Sequence, residues 1–192
     1  GMRIPNASCA SSAEDAPSKA TGLTAPFVVK GMGLAHKSEA GAVRVGLQTG
    51  EAVQDAAIAM DCESFLIEEM VQGAVIELLL AVTLDAAHGY VLTIGAGGTQ
   101  TELLQDTASL VLPVTEADVT QALSTLRCAP LLDGFRGAQG IDRAALWRAV
   151  DALQAYVIAH HGRIQEVEIN PLICTPNDAV AVDALIVKGE LA

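Results

Sequence analysis

An α+β fold is predicted by three features of this 192-residue sequence. Short apolar runs of strand length come in turn-linked pairs, at 27–47 and again at 164–186. Two longer stretches, 116–126 and 142–161, place apolar residues at helical spacing. Strands and helices are interspersed without the strict βαβ alternation of a doubly wound parallel sheet.

Composition narrows the class. Hydrophobic residues make up 51% of the chain and mean hydropathy is +0.39, so a packed core is expected and disorder is confined to the ends. A net charge of −12 with only 3% aromatics argues against a nucleic-acid surface, which needs cations and stacking platforms. Cys9, Cys62, Cys128 and Cys174 are widely spaced with no CxxC pair. They read as reduced thiols of a cytoplasmic protein, not as a disulfide frame or a zinc site. The most apolar stretch, 75–82, is short and contains Glu77, so no membrane span is expected.

Taken in order, residues 6–25 are rich in Ser and Ala and are interrupted by Pro17, which predicts a poorly ordered lead-in or a short broken helix. The run 27–30 reads as a buried strand ending in Lys30. After it comes a loop with Gly31, Gly33 and Gly41 around His36, Lys37 and Ser38, and then Val43, Val45 and Leu47 alternate as a second strand. Lys30, Lys37 and Arg44 are three of the eleven Lys and Arg residues. Such a concentration in an acidic chain, with glycine-freed N–H groups, predicts an anion site.

Thr49 caps a helix at 51–60 with Val53, Ala56, Ala57 and Met60 on one stripe. Strands follow at 65–70, closed by Glu68-Glu69-Met70, at 75–83 with Glu77 inside, and at 90–94, which runs into the glycine motif GAGG at 95–98. A motif of that kind is either a tight strand-to-strand turn or a backbone cradle. Thr115 with Asp118 forms a capping-box start for the helix at 116–126. The helix at 142–161 aligns Leu146, Val150, Leu153 and Val157, flanked by Trp147. His88, His160 and His161 read as surface residues.

The last hairpin allows a register argument. Alternation puts Val167 and Ile169 on one face of 164–172, and Glu166, Glu168 and Asn170 on the other. A turn centred between Pro176 and Asn177 pairs Thr175 with Asp178, and therefore Asn170 with Asp183 on the strand 179–186. Opposed residues have Cβ atoms roughly 4.5–5.5 Å apart. An amide oxygen beside a carboxylate is a hard-oxygen donor pair of the kind Mg²⁺ accepts alongside water and phosphate; the alternative is an exposed polar strand face.

These motifs, in this order, resemble the ATP-grasp domain of NDP-forming acyl-CoA synthetases. That family includes the β subunits of ADP-forming acetyl-CoA synthetase and, more distantly, of succinyl-CoA synthetase. The resemblance rests on VVK at 28–30, AHKSEAGAV at 35–43, EEM at 68–70, Glu77, GAGG at 95–98, Glu102 with Asp106, LLDGFRG at 131–137, EINPL at 168–172 and VDALI at 182–186. It implies an ATP-grasp fold of two α+β subdomains, 26–72 and 73–192, with nucleotide between them; residues 1–25 would be the lead-in or a truncated start. It further implies that Lys30 contacts nucleotide phosphates, with Lys37 and Arg44 in the same nucleotide-binding set. Glu69, Met70 and Glu77 would hold adenine and ribose, Asn170 and Asp183 would carry Mg²⁺, and His36 would receive or relay a phosphoryl group.

The implied activity is the ATP- and ADP-using part of an acid–thiol ligase. A partner subunit or domain in an oligomer would supply the CoA site, the carboxylic acid site and the main phosphohistidine. Some positions depart from the family. Gly41-Ala42 stands where Gly-Gly is common, Leu84 stands where an arginine is frequent, and the first helix is interrupted at Pro17. A degenerate ATP-grasp module that binds nucleotide or a partner without turnover, and a carboxylate–amine ligase, are therefore the alternatives.

Overall fold

The computed structural model describes residues 1–33, 41–98 and 101–189. His36, Lys37 and Ser38 lie outside the described residues. The chain forms two compact units, Pro5–Val71 on one side and Gly1–Ile4 with Gln72–Ala192 on the other.

The smaller unit is built on four strands: β1 (Ala7–Ala10), β2 (Phe27–Gly31), β3 (Val43–Leu47) and β4 (Phe65–Glu69). All pair antiparallel, in the order β1-β4-β2-β3. Two helices, α1 (Ala16–Ala20) and α2 (Gly50–Ile58), pack with them around Phe27, Val29, Val53, Met60, Phe65 and Ile67. Thr49 is the cap expected for α2, its hydroxyl accepting from the Ala52 N–H at 3.1 Å.

Of the two possibilities for residues 6–25, a poorly ordered lead-in or a short broken helix, the segment contains a short helix, unbroken, and also a strand. β1 pairs along β4 from Ala7 opposite Glu68 to Ala10 opposite Phe65, and α1 follows it. Pro17 starts α1 and does not break it, because in the first turn the missing N–H has no intrahelical partner to lose. Ala16 and Ala20, one turn apart, are the buried face. Alanine carries little hydrophobic signal, and its small side chain is what lets α1 sit close to its neighbours.

The larger unit contains β5 (Ile76–Asp85), β6 (Gly89–Ala96), β7 (Thr107–Val111), β8 (Ile164–Cys174), β9 (Ala179–Ala181) and β10 (Ala184–Lys188). Its helices are α3 (Thr101–Leu104), α4 (Glu116–Ser124), α5 (Ala129–Leu132) and α6 (Arg143–Ala159). The antiparallel sheet runs β10-β8-β5-β6-β7, with β9 also on β8. Alternate residues Leu78, Leu80, Val82, Leu92, Ile94, Val167 and Ile169 bury against the stripe Leu146, Val150, Leu153 and Val157 of α6 and against Val119 and Leu123 of α4. The capping box of Thr115 and Asp118 forms in both directions, and Asp142 caps α6 through the Ala145 N–H at 2.9 Å. No helix among the described residues is long and apolar enough to cross a membrane.

One departure in β8 shapes the site. Leu78 of β5 faces Leu172 while Leu80 faces Ile169, so Asn170 and Pro171 together oppose Leu79, which is a β-bulge. The buried positions shift phase across it, from Val167 and Ile169 to Leu172 and Cys174. On the other side of β8, the strand expected at 179–186 is split into β9 and β10 at Val182–Asp183. Pro171 lies opposite and has no N–H to donate to the ladder; the Val182 N–H donates to its carbonyl at 3.3 Å.

Gln154 of α6 is one of the polar side chains buried in the larger unit. Its amide accepts from the Val114 N–H at 3.0 Å and donates to the Val114 carbonyl at 3.2 Å. Gln154→Leu leaves both backbone groups without partners in a buried setting and should cost about 1–3 kcal/mol. Urea unfolding followed by Trp147 fluorescence measures this; an unchanged midpoint would show that the amide contributes nothing.

Candidate functional site

Lys30, at the end of β2, is 7% exposed, and its Nζ lies 2.5 Å from the Glu68 carboxylate, itself 6% exposed. The geometry follows from sheet register. Lys30 faces Leu66 and Val28 faces Glu68 on β4, so the two side chains are diagonal neighbours on one face. Glu68 partners the candidate residue Lys30, whereas the sequence pointed to Glu69 and Met70. A carboxylate one place before the strand end, next to buried Ile67, was the available signal. Its partner becomes visible only once β2 is known to pair with β4.

Glu69 is committed differently. Its Oε1 accepts from the Thr24 N–H and its Oε2 from the Asn6 amide, both at 2.8 Å. The Thr24 N–H, followed by the Asn6 amide, holds this carboxyl below the usual range. The Met70 N–H donates to the Pro26 carbonyl at 2.8 Å. Both residues thus fasten the strand end to the segments before β1 and β2. Arg44 faces Val29, not Lys30, and its guanidinium turns back to the carbonyls of Gly41 at 2.7 Å and Val43 at 3.0 Å.

In the larger unit the predicted hairpin register is the one observed. Thr175 N–H donates to Asp178 O at 2.8 Å, Leu172 faces Ala181, and Ala184 faces Ile169. Between those pairs the Asn170 N–H donates to the Asp183 carbonyl at 3.2 Å, which sets the two residues opposite each other. Both are half-buried. The Asn170 amide is held at both ends: Oδ1 accepts from the Gly98 N–H at 2.8 Å, and Nδ2 donates to Glu168 Oε1 at 3.3 Å. Asp183 Oδ1 accepts from the Ala184 N–H at 3.1 Å.

This donor set fits a hard divalent cation. A carbonyl oxygen has two lone pairs, and Gly98 occupies one on Asn170. The second, with the Asp183 carboxylate, gives the one or two protein ligands that Mg²⁺ takes while keeping water and phosphate oxygens. Among the described residues no group of three or more His, Cys, Asp or Glu gathers that could hold a metal ion.

The GAGG motif is neither a plain turn nor an open cradle. β6 continues through Ala96, and the chain then crosses over β5, where the Gly97 N–H donates to the Glu77 carbonyl at 2.9 Å. A Cβ at Gly97 would overlap the Leu78–Leu79 peptide. Glu77 itself is exposed, with its carboxylate against the α-carbon of Gly98.

Two further motif residues are structural. The buried carboxylate of Asp106 accepts from the N–H groups of Arg127 at 2.8 Å and Cys128 at 2.9 Å. Burial, the largest influence on it, pushes its pKa up; those N–H groups and the Arg127 guanidinium outweigh it and hold the carboxyl below its ordinary value. Asp133 of LLDGFRG is gripped by Arg143 at 2.7 and 3.1 Å. All four cysteines are free thiols. Burial pushes Cys174 up to about 12, and burial with the neighbouring Asp106 pushes Cys128 up to about 11, so neither is a nucleophile near neutrality. His88, His160 and His161 are exposed, as expected.

The Lys30–Glu68 pair makes a direct prediction. Lys30→Met strands a buried carboxylate and should destabilise the fold by about 3–5 kcal/mol, whereas Lys30→Met with Glu68→Leu should recover most of that loss. Chemical denaturation of the four variants of the cycle decides it. A single variant as stable as the parent would mean the pair is not electrostatically coupled.

A family model described as an ATP-grasp domain matches residues 1–187. A trans-feruloyl-CoA synthase from an unknown prokaryotic organism is 32% identical over 203 residues, covering 97% of this chain but only 28% of that enzyme. The β subunit of the ADP-forming acetate–CoA ligase I of Pyrococcus furiosus is 25% identical over 97% of this chain and 85% of its own length. Among solved structures, acetyl-coenzyme A synthetase 1 of Ca. Korarchaeum cryptofilum, in complex with coenzyme A and Ca-AMPCP, superposes with a TM-score of 0.87 at 27% identity. The alignment covers 98% of this chain and 87% of that one. With its two α+β units and its family match running almost end to end, this chain belongs to the ATP-grasp family, within the branch that includes the β subunits of ADP-forming acetyl-CoA synthetases.

Proposed function

We propose that this chain is the nucleotide-using part of an ADP-forming acyl-CoA synthetase, which converts a carboxylic acid, CoA and ATP to acyl-CoA, ADP and phosphate. The observation that carries it is the cross-strand pair of Asn170 and Asp183, in the register the EINPL and VDALI motifs require. Relatives named as CoA synthases and CoA ligases favour this reaction over a carboxylate–amine ligase.

The residues divide the work. Asn170 and Asp183 would hold Mg²⁺, which when bound offsets the charge of the phosphate oxygens. Lys30, kept in place by Glu68, would present its ammonium to nucleotide phosphates, with Lys37 and Arg44 adding positive potential. Glu77 would accept from ribose, and the strand end at Glu69 and Met70 would position adenine. Because the Glu69 carboxylate already accepts from Thr24 and Asn6, its part would be to fix the backbone. His36 would take the phosphoryl group: its imidazole nitrogen bonds phosphorus as the bond to the donor breaks, and a second acceptor later releases it. We place the CoA and acid sites and the main phosphohistidine on a partner subunit or domain, in a cytoplasmic oligomer.

Two measurements test this. Mg-ADP or Mg-ATP at about 100 times its dissociation constant should stabilise the chain by roughly 2.7 kcal/mol. Asp183→Asn should lose the magnesium-dependent part and keep its fold, since that position is only half-buried. No stabilisation of the parent at millimolar Mg-nucleotide would favour the degenerate module.

The second measurement concerns His36. In the enzyme reconstituted with its partner, His36→Asn should abolish ADP-forming turnover while Mg-nucleotide affinity stays near that of the parent, because the lost interaction belongs to the transition state. Turnover close to the parent would remove His36 from the chemistry. A loss confined to nucleotide affinity would reduce it to a phosphate contact.

A further inference from the structure

The GAGG segment has no chemistry of its own in the function proposed above, yet its last residue makes a specific contact. Gly98 has φ +78, and its N–H points at Asn170 Oδ1 across a sequence separation of 72 residues, at 2.8 Å in a partly buried setting. We propose that Gly98 is a positioning residue for cation binding: its backbone N–H fixes the Asn170 amide so that the remaining lone pair of Oδ1 and the Asp183 carboxylate converge on one metal. The proposal rests on the ATP reading and on Asn170 and Asp183 as ligands, and it assigns the GAGG motif a place in that reading.

First, an asparagine amide can flip, and the flipped form would offer a cation its NH₂ end. Here the two ends are sorted by their partners: a donor, the Gly98 N–H, meets Oδ1, and an acceptor, Glu168 Oε1, meets Nδ2. Partners of this kind around a metal ligand set its orientation, and losing one typically weakens metal affinity by about 10–100-fold.

Second, glycine supplies that N–H from this place without strain or clash. The φ value lies in the left-handed region, and a Cβ would overlap the Glu77 carboxylate. A side chain at 98 therefore has to displace either the peptide or Glu77. Third, the peptide is anchored from behind, because the Gly97 N–H is bonded to the Glu77 carbonyl of β5 and Gly97 is pressed on the Leu78–Leu79 peptide. The donor is thus tied to the sheet that carries the acceptor.

Gly98→Ala separates this role from a structural one. With a non-hydrolysable ATP analogue held at a fixed concentration, the Mg²⁺ concentration giving half the thermal stabilisation should rise about tenfold or more. Affinity for the metal-free analogue, to which a displaced Glu77 would contribute, should fall by no more than it does in Glu77→Ala. A substitution that only weakened the fold would lower the melting temperature at every Mg²⁺ concentration and leave the half-point where it was. That result, or a larger loss of metal-free affinity than in Glu77→Ala, overturns the proposal.

If Gly98→Ala does not fold, the parent answers by NMR. The Gly98 amide proton should move when Asn170 is replaced by Ala and should shift as Mg²⁺ is added with the analogue; an amide that ignores both overturns the inference. A parent that binds no Mg-nucleotide sinks the ATP reading and this role with it. A parent that binds, with an unmoved half-point in Gly98→Ala, sinks this role alone.

Discussion

The extra residue in β8 is the constraint on which the larger unit turns. A strand has a side-chain period of two, so one inserted residue moves every later side chain to the opposite face. Leu172 and Cys174 are in the core with Val167 and Ile169 only because Asn170 and Pro171 share the space opposite Leu79. Without the bulge, either the first or the second pair would face outward, with a loss of roughly 1.5–3 kcal/mol for each large aliphatic side chain left exposed. The slip therefore has a place it must occupy, between two buried pairs on a strand bonded on both sides. A polar residue is tolerated at that place because the local pleat carries it out of the core.

Pro171 extends the effect sideways. With no N–H to give, it interrupts the ladder to the next strand and leaves Val182 and Asp183 as a gap between β9 and β10. Outside the gap the pairing resumes in the same register, Leu172 with Ala181 and Ala184 with Ile169. Asp183 is thus fixed in position by pairs on both sides while not being a strand residue itself. Rigid placement with a locally irregular backbone is what a ligand-bearing carboxylate needs.

How much of this was legible in the sequence depended on range. Local signals held: the caps Thr49 and Thr115 with Asp118, and the stripe on α6, each involve residues within a few turns. The Asn170–Asp183 pairing was also readable, because a short turn propagates its register along both strands. What could not be read were contacts fixed by pairing between distant segments. Glu68 meets Lys30 only through the β2–β4 ladder, Glu69 is held by Asn6 and Thr24, and Asn170 of β8 meets Gly98 across the intervening β5. β1 was missed, and α1 was read only as one of two possibilities, for another reason: alanine and serine carry little periodic signal, and Pro17 has opposite meanings inside a helix and at its first turn.

The charge balance then explains why the two units have such different polar interiors. In the smaller unit Lys30 is buried with a carboxylate at 2.5 Å, so the ammonium is kept in a low-dielectric place by a partner of equal and opposite charge. A chain of net charge −12 gives little background attraction to a polyphosphate. Affinity for an anion must then come from local arrangements. On the function proposed above, the smaller unit would offer a lysine oriented by Glu68. The larger would offer an amide and a carboxylate that attract a cation, which in turn would attract the anion. The second route suits an acidic protein because acidic side chains are its material, and under it nucleotide affinity would depend on how well Asn170 and Asp183 are held. The hydrogen bonds that hold them, from the backbone of Gly98 and Ala184, cost no charge and are unaffected by salt screening, so the site keeps its geometry where surface electrostatics would not.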